Sequence, residues 1–246
     1  MTQRINACGQ PIGPELPGWQ PPPYPPRHPL EGRFCRVEPL DVARHAAGLH
    51  DANSLDREGR MWTYLFSGPF GGFEEYRAWL EPRAVSEDPL FFAFVDRSRE
   101  QAVGTGAYLR IDTANGAVEV GHLAFSPLLQ RTPAATEAMY LMMRQAFELG
   151  YRRYEWKCDA LNAASRRAAE RLGFTFEGVF RQAIVYKGRS RDTAWYSVLD
   201  REWPALDAAF REWLDPGNFD ADGRQCRSLG AIRGARRPDG SGAHEE

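Results

Sequence analysis

Three strand-like runs follow one another in the middle of the chain, joined by links of only a few residues. The runs are PLFFAFVD, QAVGTGAYLRI and AVEVGHLAF, and all three are rich in the aromatic and β-branched residues that favour strands. The links RSRE and DTANG are turn-like and too short for a helical crossover, which favours antiparallel hairpins. Residues 89–125 are therefore predicted to form a three-stranded meander, and the fold must be built around that sheet.

A long apolar-periodic helix is predicted directly after the meander, over residues 133–149. Thr132 is a candidate N-cap, Pro133 suits the first helical position, and Gly150 is placed to end the helix. One face carries apolar residues at helical spacing, namely Met139, Met142, Met143 and Ala146. A strand, YRRYEWKC, is predicted next, so residues 118–158 form a strand–helix–strand crossover. Such a crossover brings the carboxyl end of a strand beside a helix N-terminus, where sheets of this type bind anions.

The rest of the central region follows the same kinds of signal. A first strand, RFCRVEPL, precedes two helices, DVARHAAGLHDA opened by Asp41 and FEEYRAWLEP. After the crossover come a short helix, NAASRRAAERLGF, from an Asn162 cap to a Gly173 stop, and a closing hairpin, VFRQAIVYK with TAWYSVLD. This order predicts one α+β domain over residues 30–215, with a mixed, mostly antiparallel central sheet and helices on both of its faces.

The two ends of the chain differ in composition from this domain. Half of the 18 prolines fall between Pro11 and Pro29, so residues 1–29 are predicted to be a proline-rich N-terminal arm. Trp19 and Tyr24 could hold the arm on the domain surface; the alternative is a PxxP ligand for a partner. Residues 216–246 are rich in Gly, Arg and Asp without an apolar period and are predicted to be a flexible C-terminal tail.

Charge and residue usage exclude several classes of function. The formal net charge is −2 and arginines are scattered, so no nucleic-acid or membrane partner is expected. No run of about 18 apolar residues occurs, and the N-terminus lacks the apolar centre of a signal peptide, so the expected location is cytoplasmic. The four cysteines form no CxxC pair and the five histidines form no HExxH motif, so no metal site is predicted.

Three short motifs, in the correct order on the predicted elements, resemble the GNAT N-acetyltransferases. They are VEVGH in the third strand, QRTPAATEA at the long helix, and NAASRRAAERLGF at the short helix. The resemblance covers about residues 30–203 and is stronger to the branch of ribosomal-protein N-terminal acetyltransferases. It implies acetyl-CoA as acyl donor and transfer, by direct attack in a ternary complex, to a primary amine, either a protein N-terminus or a small molecule. A homodimer is a further possibility.

The phosphate-binding loop of this family has the pattern Q/R-x-x-G-x-G/A, and its backbone N–H groups hold the pyrophosphate of acetyl-CoA. Gln130, Pro133 and Ala135 occupy those places here, so proline replaces the central glycine and removes one donor. The guanidinium of Arg131 can compensate by bidentate bonds to phosphate. The N–H groups expected to remain available are those of Arg131, Thr132, Ala134, Ala135 and Thr136. The alternative, compatible with this one, is that Thr132-Pro133 is simply a good helix start.

Glu119 is the candidate general base, since an amine must lose its proton before it attacks a thioester. Strand alternation places Val118 and Val120 on one face and turns Glu119 to the other. The equal alternative is a polar strand residue that pairs with a core arginine. By the same alternation His122 faces the side opposite Glu119, where a structural role is favoured over a catalytic one.

The resemblance also implies the remaining catalytic groups. A backbone N–H in the splayed strand before the loop, at Leu123, Ala124 or Phe125, would bind the developing oxyanion. The tyrosine that many relatives use as general acid is replaced by Ala169, and Ser165 matches a serine that can donate a hydrogen bond to sulfur. The alternative for Ser165 is helix capping beside Asn162, which itself could cap the helix and bond the pantetheine arm.

One segment of the sequence is a candidate for the acceptor side. The aromatic and glycine-rich segment 61–76 could wall a substrate groove, while core packing is the favoured alternative for at least half of Trp62, Tyr64, Phe66 and Phe70.

A second class of function is a CoA-binding or interaction module of the same fold that has lost catalysis. Gly104-Thr105-Gly106 lacks the third glycine of a dinucleotide site and falls inside a predicted strand, where close backbone approach explains it better.

Overall fold

The computed structural model describes residues 4–236, and its central element is an eight-stranded sheet. The strands of this sheet are β3 (Leu30–Glu31), β4 (Cys35–Pro39), β5 (Leu90–Asp96), β6 (Gln101–Asp112), β7 (Ala117–Phe125), β8 (Arg153–Asp159), β9 (Thr175–Tyr186) and β10 (Arg189–Leu199). Their spatial order is β3-β4-β5-β6-β7-β8-β10-β9, and only the β7–β8 pair is parallel. The predicted α+β class, the meander and the β7–α3–β8 crossover are therefore confirmed, and the β8–α4–β9 connection adds a second crossover that passes over β10. A separate two-stranded hairpin, β1 (Arg4–Ile5) with β2 (Pro11–Ile12), precedes the sheet.

Six helices accompany the sheet in the described part of the chain. They are α1 (Val42–Ser54), α2 (Phe73–Val85), α3 (Pro133–Glu148), α4 (Ala163–Leu172), α5 (Trp203–Leu214) and α6 (Leu229–Ala235). Their ends follow local chemistry: Asp41 accepts a hydrogen bond from the N–H of Arg44, and Gly173 ends α4 with a φ of 103° that favours glycine. Among residues 4–236, no helix is long and apolar enough to cross a membrane.

Two apolar cores lie on opposite faces of the sheet. Helices α1 and α2 cover one face, where Leu49 and Leu80 are fully buried among strand residues that include Phe91. Helices α3 and α5 cover the other face, where the predicted stripe of α3 packs on Tyr108 and Val120. Each such side chain contributes about 1.5–3 kcal/mol when fully buried. The sheet therefore separates the two cores, and an opening between two of its strands would connect them.

Glu137 of α3 fixes the turn between β3 and β4 to the centre of the domain. Its buried carboxylate accepts hydrogen bonds from the backbone N–H groups of Arg33 at 2.7 Å, Phe34 at 2.5 Å and Cys35 at 2.8 Å. A Cβ at Gly32 would lie 2.5 Å from this carboxylate, so glycine is needed for the close approach. A single carboxyl side chain therefore satisfies three successive backbone donors.

Residues 19–28 of the proline-rich arm lie on the domain surface. Tyr24 donates a hydrogen bond to the carbonyl of Glu87 at 2.8 Å, and Tyr151 donates one to the carbonyl of Pro23 at 3.2 Å. Pro22 and Pro25, which belong to the arm, are buried. The arm contacts the sheet at the end where β7 begins, and the carboxyl end of β7 lies at the opposite end.

The flexible tail expected over residues 216–246 does not hold for its described part. Residues 229–235 form α6, which packs on α5, and Leu229 and Ile232 are 1% and 0% exposed. Two apolar residues one turn apart suffice to bury one side of so short a helix, and they give too short a pattern to stand out in the sequence. Residues 237–246 of the expected tail lie outside the described residues.

Candidate active site

Strands β7 and β8 part at their carboxyl ends. Their parallel pairing runs from Ala117 opposite Arg153 to Val120 opposite Trp156 and stops there. A β-bulge follows in β7, where His122 has a φ of 50° and the register against β6 shifts. The backbone of Leu123, Ala124 and Phe125 therefore continues along β6 without a partner on its other side. This opening lies directly before the loop that leads into α3.

The loop at the start of α3 uses several of its own polar groups. Thr132 caps the helix, with its Oγ1 accepting from the N–H of Ala135 at 3.2 Å, and its own N–H donates to Leu129 at 3.3 Å. The side-chain amide of Gln130 donates back to the carbonyl of Phe125 at 2.7 Å. The expectation that the N–H groups of Thr132 and Ala135 stay available is therefore wrong, because the capping turn already uses both.

Groups suited to an anion remain at this helix start. The backbone N–H groups of Arg131 and Ala134 donate to no acceptor within residues 4–236, and the exposed guanidinium of Arg131 makes no ion pair there. Arg131 adopts a φ of 62°, a left-handed conformation that favours glycine. Arg171 of α4 donates to Thr136 Oγ1 at 2.7 Å, which brings a second guanidinium to the first turn of α3. Two cations and two backbone donors fit a diphosphate.

Glu119 lies on the face covered by α1 and α2 and is 3% exposed. Its Oε2 is 2.9 Å from Lys157 Nζ and 2.5 Å from Arg110 Nη1, so the expected pairing with an arginine is present, and the role of general base stays a prediction. Burial raises the pKa of Glu119 above its usual range, while Lys157 and Arg110 oppose the rise. If Gly121 carried a Cβ, that atom would lie 3.4 Å from the other oxygen of Glu119, Oε1. Glycine at this position therefore leaves space beside Oε1.

His122 faces the same side of the sheet as Glu119, which corrects the expectation from simple alternation. Its ring centroid is 5.2 Å from that of Phe91 and 6.4 Å from that of Phe66. The bulge at His122 adds a residue to β7 and so reverses the alternation beyond it. Burial, with Arg83 and Arg110 nearby, lowers the pKa of His122 to about 4. The imidazole is therefore neutral near pH 7.

Ser165 and Asn162 lie at the start of α4, on the face covered by α3. Asn162 Oδ1 accepts the N–H of Ser165 at 3.0 Å, so the capping role belongs to Asn162. The Oγ of Ser165 instead accepts a hydrogen bond from the indole N–H of Trp156 at 3.0 Å, and its own proton can be donated to a sulfur, since the thiol of Cys158 lies within hydrogen-bond reach. Ala169, at the place of the missing tyrosine, is fully buried.

Half of the four aromatic residues singled out between α1 and α2 pack in the core, as expected, while the groove stays a prediction. Trp62 and Phe70 pack edge to face at 5.2 Å inside the core of that face. Tyr64 instead reaches over to the carbonyl of Leu161, at 3.2 Å, on the segment before α4. Phe66 is 50% exposed and lies 5.6 Å from the ring of Tyr186.

Several residues of this region were not predicted from the sequence. They are Lys157, Asp159, Lys187 and Arg191. Lys187 Nζ holds the segment before α2 through the carbonyls of Trp62 at 2.8 Å and Gly68 at 2.7 Å. The chain contains two lysines, Lys157 and Lys187, and both lie in this region. Because lysine is so rare in this chain, the sequence alone could have singled out both residues as candidates.

Comparison with known proteins agrees with this geometry. A family model described as an acetyltransferase (GNAT) domain matches residues 36–175. A GCN5-related N-acetyltransferase structure from Brucella melitensis is 49% identical, with a TM-score of 0.87 over 89% of this chain and 100% of that one. The RimL ribosomal L7/L12 alpha-N-protein acetyltransferase, solved with coenzyme A, shares the fold at 19% identity, with a TM-score of 0.60 over 70% of this chain and 97% of that one.

A curated relative matches a smaller part of the chain. The uncharacterized N-acetyltransferase p20 of Bacillus licheniformis is 28% identical over 113 residues, which are 46% of this chain. The match spans 63% of the length of that relative.

Proposed function

This chain belongs to the GNAT acetyltransferase family, and on that premise we propose that it transfers an acetyl group from acetyl-CoA to a primary amine. The acceptor is a protein N-terminus or a small molecule, and the amine attacks directly within a ternary complex. The observation that carries the proposal is the parting of β7 and β8 beyond Val120, beside the start of α3. The opening joins the two faces of the sheet, so donor and acceptor can meet there from opposite sides.

The donor would be held mainly by groups at the two helix starts. The free backbone N–H groups of Arg131 and Ala134, with the Arg131 guanidinium, suit the diphosphate. Asn162 uses Oδ1 for its cap, which leaves its amide N–H₂ to donate to the pantetheine arm. When bound, acetyl-CoA supplies the acetyl thioester.

Transfer then needs three functions from this chain. Glu119 takes a proton from the amine, directly or through a water, and its raised pKa suits a base that works near neutral pH. A backbone N–H of Leu123, Ala124 or Phe125 stabilises negative charge on the thioester oxygen. Ser165, with its Oγ oriented by Trp156, donates a hydrogen bond to the leaving sulfur.

The first test is calorimetric titration with acetyl-CoA and with S-acetylpantetheine, which lacks the ADP part and its diphosphate, followed by initial-rate kinetics on a panel of small amines and peptides. Binding that weakens without the diphosphate, together with intersecting double-reciprocal lines, supports the proposal. Parallel lines would indicate a covalent enzyme intermediate instead. Binding without turnover on any amine would favour a CoA-binding module that has lost catalysis. No binding would remove the donor, and with it the proposed function.

A further inference from the structure

Arg191 of β10 is a buried cation on the acceptor side of the opening. The residue is 7% exposed, and its Nε donates to Thr193 Oγ1 at 3.1 Å. Its Cζ lies 5.6 Å from the ring centroid of Phe66 and 5.9 Å from that of Tyr186. Phe66 also lies beside His122, so this aromatic side chain connects Arg191 to the bulge in β7.

No counter-ion for Arg191 occurs among residues 4–236. Asp159, on the neighbouring strand β8, accepts instead from the hydroxyl of Tyr186 at 2.7 Å and from the N–H of Leu161 at 2.9 Å. The buried cation Lys157, by contrast, makes two ion pairs. Buried charges are normally paired, because an isolated ion loses its hydration without compensation.

The terminal nitrogens of Arg191 still reach solvent. Nη1 and Nη2 have no hydrogen bond to a described residue, yet they are not among the side-chain atoms that are both buried and without a partner. They therefore face open space at the edge of the aromatic pair. A guanidinium that lies near two aromatic rings and uses only its Nε in a hydrogen bond presents its remaining N–H groups as a fork that fits carboxylate or phosphate.

We propose that Arg191 is a specificity-determining residue that binds an anionic group of the acceptor, so the acceptor is an amine that also carries a carboxylate or a phosphate. The inference rests on the proposed function and names its substrate class. Arg83, which makes no ion pair within the described residues, adds positive charge near His122, the neighbour of Phe66. An anionic amine would supply the missing counter-ion.

The test compares matched acceptors. Glycine, β-alanine and 4-aminobutyrate are each measured against their amides, and phosphoethanolamine is measured against ethanolamine, so that the two sources of negative charge are separated. In the wild type we expect the anionic member of at least one pair to have a higher kcat/KM by about 10- to 100-fold, as for a charge-assisted hydrogen bond. Arg191→Gln should abolish that preference while leaving the neutral partner and the acetyl-CoA Kd unchanged. Arg181→Gln, an exposed arginine on β9, is the matched control and should keep the preference.

A binding arm keeps the inference independent of turnover and of folding defects. Thermal shift of the wild type with the same pairs should favour the anionic member, and Arg191→Lys, which keeps the charge, should retain part of that shift. Equal kcat/KM and equal thermal shifts within every pair would overturn the inference and leave the proposed function standing. A rise in the acetyl-CoA Kd of Arg191→Gln would also overturn it, because Arg191 would then serve the donor. A retained anion preference in binding without any acetyl transfer would overturn the proposed function alone.

Discussion

Lys157 Nζ lies 2.9 Å from Glu119 Oε2, and both side chains are almost completely buried. The same ammonium is 2.8 Å from Glu155 Oε2 and 3.7 Å from the ring centroid of Trp195. The candidate base is therefore held in one place by a cation that is itself fixed on three sides. Burial and ion pairing act in opposite directions on the pKa of Glu119, and the balance between them sets the pH at which the base works.

Glu119→Gln should abolish most turnover without affecting the donor. A positioned general base contributes about 10²- to 10⁴-fold, and we expect a loss of that size in kcat, with the acetyl-CoA Kd unchanged. Because the base must be ionised and burial raises the pKa of Glu119, kcat/KM of the wild type should fall as pH drops through a value above the usual carboxyl range. The variant should lack this limb in its pH–rate profile; the same limb in both proteins would remove Glu119 from the mechanism.

Lys157→Met should move the acidic limb of the pH–rate profile to higher pH. A neighbouring cation lowers the pKa of Glu119, so its removal raises that pKa and the base is protonated over a wider range. Breaking this buried ion pair should also cost about 3–5 kcal/mol of unfolding free energy in urea. Arg110→Gln is the matched variant, and because the Arg110 side chain is 56% exposed we expect the same direction of pH shift with a smaller loss of stability. Opposite pH shifts in the two variants would contradict the assignment.

Trp156→Phe should act on the reaction only through Ser165. The substitution keeps an aromatic ring against Phe174 but removes the N–H that orients the Ser165 hydroxyl. We expect kcat to fall in both Trp156→Phe and Ser165→Ala, with little further loss in the double variant, and a stability cost of about 1 kcal/mol for the lost hydrogen bond. Additive losses in kcat would mean that the indole acts independently of the serine.

Arg131→Gly should separate the contribution of the Arg131 guanidinium to acetyl-CoA affinity from the contribution of the loop backbone. The φ of 62° at this position costs glycine nothing, so the unfolding free energy should be maintained while the acetyl-CoA Kd rises. We expect a rise of about 10- to 100-fold, from the loss of charge-assisted bonds. Arg131→Ala provides the comparison, with the same loss of affinity and a lower stability than the glycine variant. Calorimetry at two salt concentrations should show a weaker salt dependence in both; an unchanged Kd would assign the loop only a capping role.

Glu137→Gln should destabilise the protein through the turn between β3 and β4. The carboxylate accepts three backbone N–H groups, and hydrogen bonds to a charged acceptor contribute about 1.5–3 kcal/mol each, so the loss of charge should cost several kcal/mol in urea unfolding. Glu148→Gln changes an exposed residue on the same helix and should stay within about 0.5 kcal/mol of the wild type. Equal stability of the two variants would contradict the role of Glu137.

The parts of the fold that follow local chemistry were predictable from the sequence. Asp41 and Asn162 cap their helices and Gly173 ends one, because a cap depends only on residues three or four positions away. The β7–α3–β8 crossover was predictable for a related reason, since element order and link length leave few topologies.

The candidate site was only partly predictable, because its geometry depends on distant contacts. His122 changed sides because β7 carries one more residue than its pairing with β6 accommodates, and no local pattern marks the bulge. Arg191 acquires its environment from Phe66, which is more than a hundred residues away in sequence. The donors of Thr132 and Ala135 were already used by the capping turn, which a count of available N–H groups overlooks.

The link between Glu137 and the N–H groups of Arg33 to Cys35 has a consequence for the order in which the chain acquires its structure during synthesis. The two ends of this contact are about a hundred residues apart, and the arm contact between Pro23 and Tyr151 spans 128. The chain must close these long loops, at a cost in conformational entropy, before the contacts can stabilise it. This requirement slows folding. The turn between β3 and β4 can therefore acquire its contact with Glu137 only after α3 has been translated.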